Sequence, residues 1–330
     1  MHSSSRIKTL SALGNDMDAI TAHDLNFDIL IPGSYFCDVV FTGLPSLPLL
    51  GQELYSTGLD IVLGGTLNSV VALHRLGVRV GWVAALGNDF FSQYVEQQLS
   101  TERLATPLLR RLDAPLRRVT VSLSYPADRA FVTYTDGDFD EMALTEDTCA
   151  RAQFRHLHFP GLEVSERALA LIDACHERGA TVSMDCQHRD EHIDSPLVRE
   201  VLSRVDVFLP NVTETQRLTG ASDDEAIHTL RRCVRYLVVK AGANGATAYV
   251  EGECYHCPAL PVTPLDTTGA GDVFNAGFLA AFLSKLSPAE CLRWGNFCGG
   301  RSTQGLGGLS TAPTRRDLEA WLALPSAHDR

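Results

Sequence analysis

The feature that most restricts how this chain can fold is a regular alternation, from about Phe27 onward, of short Val/Ile-rich runs with longer segments of helical periodicity. Strand-like runs recur at 28–32, 80–85, 156–159, 181–184, 205–209, 236–240 and 246–250. Between them lie amphipathic patterns such as 165–178, where Ala168, Leu169, Leu171, Ile172 and Cys175 share one side and Gly179 is placed to end the helix. This order predicts an α/β fold: a three-layer α/β/α domain with a mostly parallel central sheet and helices on both faces. One region breaks the rhythm. Runs 119–125 and 130–134 alternate as strands joined by Pro126, Ala127 and Asp128, with no helix between them. Together with 39–42 they predict a small antiparallel flap, either a lid over a site at the strand ends or a β-extension without a role.

The charge narrows the choice of partner. Across 330 residues, 28 Lys and Arg stand against 40 Asp and Glu, a net charge of −12, which argues against nucleic acid and anionic membranes and favours a small-molecule substrate. No apolar run approaches the roughly 18 residues of a membrane helix, and the first 25 residues lack the apolar block of a secretory signal. Nine cysteines, an odd number, fit reduced thiols and a cytoplasmic protein. The pair Cys254 and Cys257 has zinc-like spacing but no second pair to complete a site, and reads as ordinary strand packing.

The most informative stretch is Asp266-Thr267-Thr268-Gly269-Ala270-Gly271-Asp272, which leads into an apolar helical run. The first amides of such a helix have no partners within it, so the turn suits a phosphate or a phosphoryl transition state, and Gly269 and Gly271 let an anion approach closely. A carboxylate at Asp272 is of little use for holding phosphate but can take a proton from an incoming hydroxyl, which suggests a kinase. Read alone, the same residues also describe a tight turn with Asp272 capping a helix. Upstream, Gly64 and Gly65 allow a sugar to lie against the backbone at a helix start. Asn68 there supplies both a donor and an acceptor for hydroxyl groups, or else is an exposed residue of a strand-to-helix turn.

These motifs, in this order, resemble the phosphofructokinase-B or ribokinase-like family of carbohydrate kinases over roughly residues 27–313. The resemblance implies an ATP-dependent sugar kinase that transfers the γ-phosphoryl group of MgATP to a hydroxymethyl group of a small sugar. A nucleoside kinase, or an idle sugar-binding regulatory protein on the same fold, is the alternative. It further implies Asp272 as the base, with Gly269, Ala270 and Gly271 around the transferring group, and Asp38, Gly64, Gly65 and Asn68 on the sugar. Asn211 and Glu214, an N-x-x-E motif after the 205–209 run, would support Mg²⁺, with Glu214 acting through metal-bound water. Lys240 and Gly242 would lie on the nucleotide side, with Asp185 and Arg189 near the phosphates. Asp266 and Thr268, with the 300–310 segment, mark where some relatives hold a monovalent cation, so K⁺ is allowed there. Relatives pair through their lids, so a homodimer through Val119, Val121 and Leu123 is also allowed. The expected organisation is a flexible tail over 1–25, a kinase domain over 26–315 with its lid from about 36–44 and 117–136, and a C-terminal helix and tail over 316–330. His188-Arg189-Asp190 imitates a protein-kinase triplet without its companion motifs, and no P-loop is present.

Overall fold

The computed structural model describes residues 25–125, 129–137, 139–187 and 190–324. The expected N-terminal tail up to residue 24, the hairpin tip at 126–128, His188, Arg189 and the last six residues lie outside the described residues. Eight strands form the central sheet, in the order Glu253–Cys257, Ala246–Val250, Tyr236–Lys240, Val207–Phe208, Thr181–Met184, His156–Phe159, Ile29–Pro32 and Val80–Val83. From Tyr236–Lys240 to Val80–Val83 all neighbours are parallel, and the other two strands turn back as an antiparallel edge. Parallel neighbours need crossovers, and the helices that supply them cover both faces.

Alternation along the strands sends side chains into two cores. Ile29, Ile31, Trp82 and Val238 pack with the helices Leu67–Arg75, Ala270–Leu283 and Pro288–Ser302. Leu30, Val83, Leu157, Val182 and Phe208 pack on the opposite face with Glu141–Arg151, Glu166–Glu177 and Pro196–Arg204. The helix Ala270–Leu283 is apolar on every side because it is enclosed, with Val273, Ala276, Phe278, Leu279 and Ala281 all fully buried. His156 and His158 are also fully buried and share the Ser183 hydroxyl at 2.7 and 2.8 Å. Burial drives both pKa values down to about 3, so they are neutral packing residues.

Three expectations need correction. The 80–85 run splits, with Val80–Val83 in the central sheet and Ala85–Leu86 paired with Arg110–Arg111. The flap is a four-stranded sheet in the order Gly58–Gly65, Tyr35–Thr42, Arg118–Ser124 and Arg129–Thr135, one strand more than expected, and the glycine pair ends that added strand just before the helix Leu67–Arg75, at the helix start where it was expected. Nor is the flap wholly antiparallel, because Tyr35–Thr42 runs parallel to Arg118–Ser124, as strands far apart in sequence are free to do. Its register puts Asp38, Val62, Thr120 and Thr133 on one face and Val39, Ile61, Val121 and Val132 on the other. Among the described residues no helix is long and apolar enough to cross a membrane.

Candidate active site

The parallel strands end on one side of the sheet, and there the loops carrying the sequence motifs converge, as open α/β sheets dictate. The turn before Ala270–Leu283 is entered through Gly269 at φ 71°, a left-handed conformation natural to glycine. A Cβ at Gly269 would stand 2.7 Å from Asn68 Nδ2 and 3.0 Å from the Gly308 Cα, so the turn packs too closely for any side chain. Among the described residues the amides of Gly269, Gly271 and Asp272 have no protein acceptor, whereas that of Ala270 donates to the Thr267 carbonyl at 3.2 Å. The open anion nest therefore belongs to Gly269, Gly271 and Asp272, and the amide of Ala270 is already engaged.

Asp272 lies in the first turn of that helix and accepts a hydrogen bond from Asn68 Nδ2 at 3.1 Å. Its pKa is pushed up to about 7, first by burial and then by the charge of Asp185, against the Asn68 hydrogen bond and the Lys240 ammonium. A carboxyl poised near neutrality is what general-base work at physiological pH requires. Asn68 is only 4% exposed, and its Oδ1 is enclosed without a partner among the described residues. Asp38 lies on the strand Tyr35–Thr42 with its carboxylate directly over Gly64, where a Cβ would come within 2.2 Å of Oδ2. Burial, and then the charge of Asp266, raises the Asp38 pKa to about 6.

On the other side of the turn Lys240 donates to Asp185 Oδ2 at 2.8 Å and to Asn275 Oδ1 at 3.2 Å, while Asn275 Nδ2 donates to the same Asp185 oxygen at 2.6 Å. A side chain at Gly271 would begin 3.5 Å from the Lys240 ammonium, so this buried charge lies against the anion turn. Sequence reasoning singles out Lys240 and Asp185 but misses Asn275. One helical turn beyond Asp272, an Asn inside an otherwise apolar run is the available signal. Asn211 and Glu214 form a capping box, Glu214 N donating to Asn211 Oδ1 at 2.9 Å and Asn211 N to Glu214 Oε2 at 2.7 Å. Their structural role is thus filled, and the Glu214 carboxyl remains within electrostatic reach of Asp185 and Lys240. Burial and then Asp185 raise its pKa, against Lys240. Gly242 opens an exposed 3₁₀ turn, Gly242–Asn244, with its backbone accessible.

Asp266 and Thr268 do come together, but the cation between them is the Arg129 guanidinium, which donates to Asp266 Oδ1 and Thr268 Oγ1. The 300–310 segment contributes the Gly307 amide to Asp266 Oδ2 at 2.9 Å. Beside Gly33, Gly65 and Thr66 a cavity of about 270 Å³ is also lined by Ser34, Glu141, Glu163 and Gln187. No motif marks these last four, because they come from separate elements and meet only in the fold.

Comparison with protein-family models matches residues 60–315 to "pfkB family carbohydrate kinase". The chain is 27% identical to a 2-dehydro-3-deoxygluconokinase of Bacillus subtilis, over 83% of this chain and 90% of that protein. It is 32% identical to a ribokinase of Arabidopsis thaliana, over 93% of this chain and 84% of that one. Among solved structures, an Arabidopsis thaliana ribokinase complexed with ribose and ATP superposes with a TM-score of 0.75 at 20% identity, covering 91% of this chain and 100% of the other.

Proposed function

The chain belongs to the pfkB family of carbohydrate kinases, and on that premise we propose that it transfers the γ-phosphoryl group of MgATP to a hydroxymethyl group of a small sugar. The observation that carries this reading is the placement of Asp272: a half-buried carboxyl with its pKa raised to about 7, oriented by Asn68, directly after an open nest of amides. Asp38 and Asn68 face the sugar hydroxyl groups, and Gly64 makes room for the Asp38 carboxylate and not for the ring itself. Asp272 takes the proton of the attacking hydroxyl, and the amides of Gly269, Gly271 and Asp272 face the charge that develops on the transferring group. Lys240 holds positive charge beneath that turn, and the exposed backbone at Gly242 lies on the nucleotide side.

Among the described residues no three carboxylates gather as direct metal ligands, so Mg²⁺ would be held through its own water shell, by Glu214, which keeps one oxygen outside the capping box within electrostatic reach of Asp185 and Asp272. Bound there, the ion would neutralise phosphate charge. A coupled ADP-release assay with MgATP against pentoses, hexoses, keto-acids and nucleosides tests the reading. Turnover on a sugar is expected. Turnover on nucleosides alone would transfer the site to a nucleoside kinase, and silence with ligand binding by thermal shift would leave a binding protein.

The four-stranded sheet serves as the lid, its Asp38 face turned to the site. On the opposite face Leu59, Ile61, Val132 and Tyr134 are 58, 38, 65 and 51% exposed. They share that face with Val119, Val121 and Leu123 through the strand register. An apolar stripe of this kind supports pairing of two copies through their lids. Sedimentation is expected to give a dimer that Ile61→Glu combined with Val132→Glu converts to monomer; a monomeric parent chain would end the idea.

A further inference from the structure

Arg129 begins the last lid strand and reaches a turn 137 residues away in sequence. Its Nη1 donates to Asp266 Oδ1 and to Thr268 Oγ1, and its Nη2 to Thr267 Oγ1 at 3.2 Å. The Asp266 side chain, 8% exposed, also receives the Thr268 amide at 2.9 Å, the Thr268 hydroxyl at 2.8 Å and the Gly307 amide at 2.9 Å. Burial opposes ionisation of Asp266, but these donors and the Arg129 charge outweigh it and hold its pKa below the usual carboxylate range. A small monovalent cation would need the same Asp266 and Thr268 oxygens that the guanidinium occupies. With the lid in this position, the residues present do not fit K⁺.

We infer that Arg129 is a positioning residue that takes the place of a monovalent cation, so that the lid itself brings the positive charge to Asp266 and ties its closure to the shape of the anion turn. The planar guanidinium fork is well matched to this seat, because it meets a carboxylate and two hydroxyls at once, which an ammonium at the end of a flexible stem would not reproduce. Thr267, Thr268 and Gly269 are consecutive, so a lid seated on the first two holds the third, from which the open amides begin. Thermodynamically the contact links two events. Whatever favours the lid on the turn also favours the turn in its anion-binding shape. The inference rests on the kinase reading for its kinetic consequence but not for its cation consequence.

The test compares the parent chain with Arg129→Ala and Arg129→Lys, with tetramethylammonium as the sole monovalent cation and then with K⁺ or guanidinium added. For the parent, both turnover on the sugar identified above and thermal unfolding are expected to be indifferent to K⁺. Arg129→Ala is expected to lose about 10- to 100-fold in kcat, the scale of a lost charge-assisted contact, with a smaller change in sugar KM. Added guanidinium or K⁺ should restore part of that loss and raise the melting temperature of Arg129→Ala alone. Arg129→Lys should fall between the two. A parent chain that requires K⁺, or an Arg129→Ala variant whose melting temperature ignores both cations, overturns the inference. If the parent releases no ADP with any sugar, the kinase reading fails, while the melting-temperature arm still decides who occupies the Asp266 seat.

Discussion

Asp272→Asn is expected to leave sugar binding in place and to lower kcat by about 10²- to 10⁴-fold, the contribution of a positioned general base. The amide keeps the shape of the carboxyl and can still meet Asn68, which now contacts Asp272 Oδ2 at 3.1 Å, so a loss on this scale would report chemistry and not collapse of the site. The pKa of about 7 adds a second signature. In the parent chain kcat/KM should fall as pH drops through about 7, because the base must be ionised in the free enzyme. Stability runs the other way. A carboxyl whose folded pKa stands above its ordinary value of 3.8 supports the fold fully below that value, and the support fades as pH rises through about 7. Asp272→Asn does not titrate, so its melting temperature should exceed that of the parent by more at about pH 8 than at about pH 4. Calorimetry across that window and a pH-rate profile check both. A variant that retains parental kcat would remove Asp272 from the mechanism.

Lys240→Met is expected to destabilise the fold by roughly 3–5 kcal/mol, the scale for stripping one partner from a buried ion pair. The pair is 2.8 Å long, and the side chains are 11 and 6% exposed, so solvent screens it little. Methionine fills much the same space, but it leaves the Asp185 oxygen with Asn275 alone and its negative charge uncompensated beneath Gly271. Adding Asp185→Asn removes the stranded charge, and the double variant should recover much of the loss in a denaturant titration, a coupling that a cycle of the two changes measures directly. Equal losses in single and double variants would mean that packing, not charge, holds this corner. Activity should fall in both, because both lack positive charge at the anion turn.

Much of the architecture is legible locally. Short β-branched runs, helical periodicity and helix-ending glycines act over a few residues, so 156–159, 181–184 and 236–240 emerge as strands with the boundaries read from composition. The anion turn is legible for the same reason, because a left-handed glycine, a second glycine and a helix start are all contained in seven residues. The strand Gly58–Gly65 is not. Its glycines oppose strand propensity, and its hydrogen bonds to Tyr35–Thr42 decide the matter from outside.

The α/β order, the acidic balance and the turn that ends in Asp272 can thus be read along the chain. Tertiary structure alone decided that Asn275 joins Asp185 and Lys240, that Asn68 meets Asp272 across 204 residues, and that Arg129 stands on Asp266. The two kinds of information differ in range. Backbone conformation follows from neighbours a few residues away, whereas a buried charge finds its partner wherever packing brings one within about 3 Å, and no spacing along the chain records that distance.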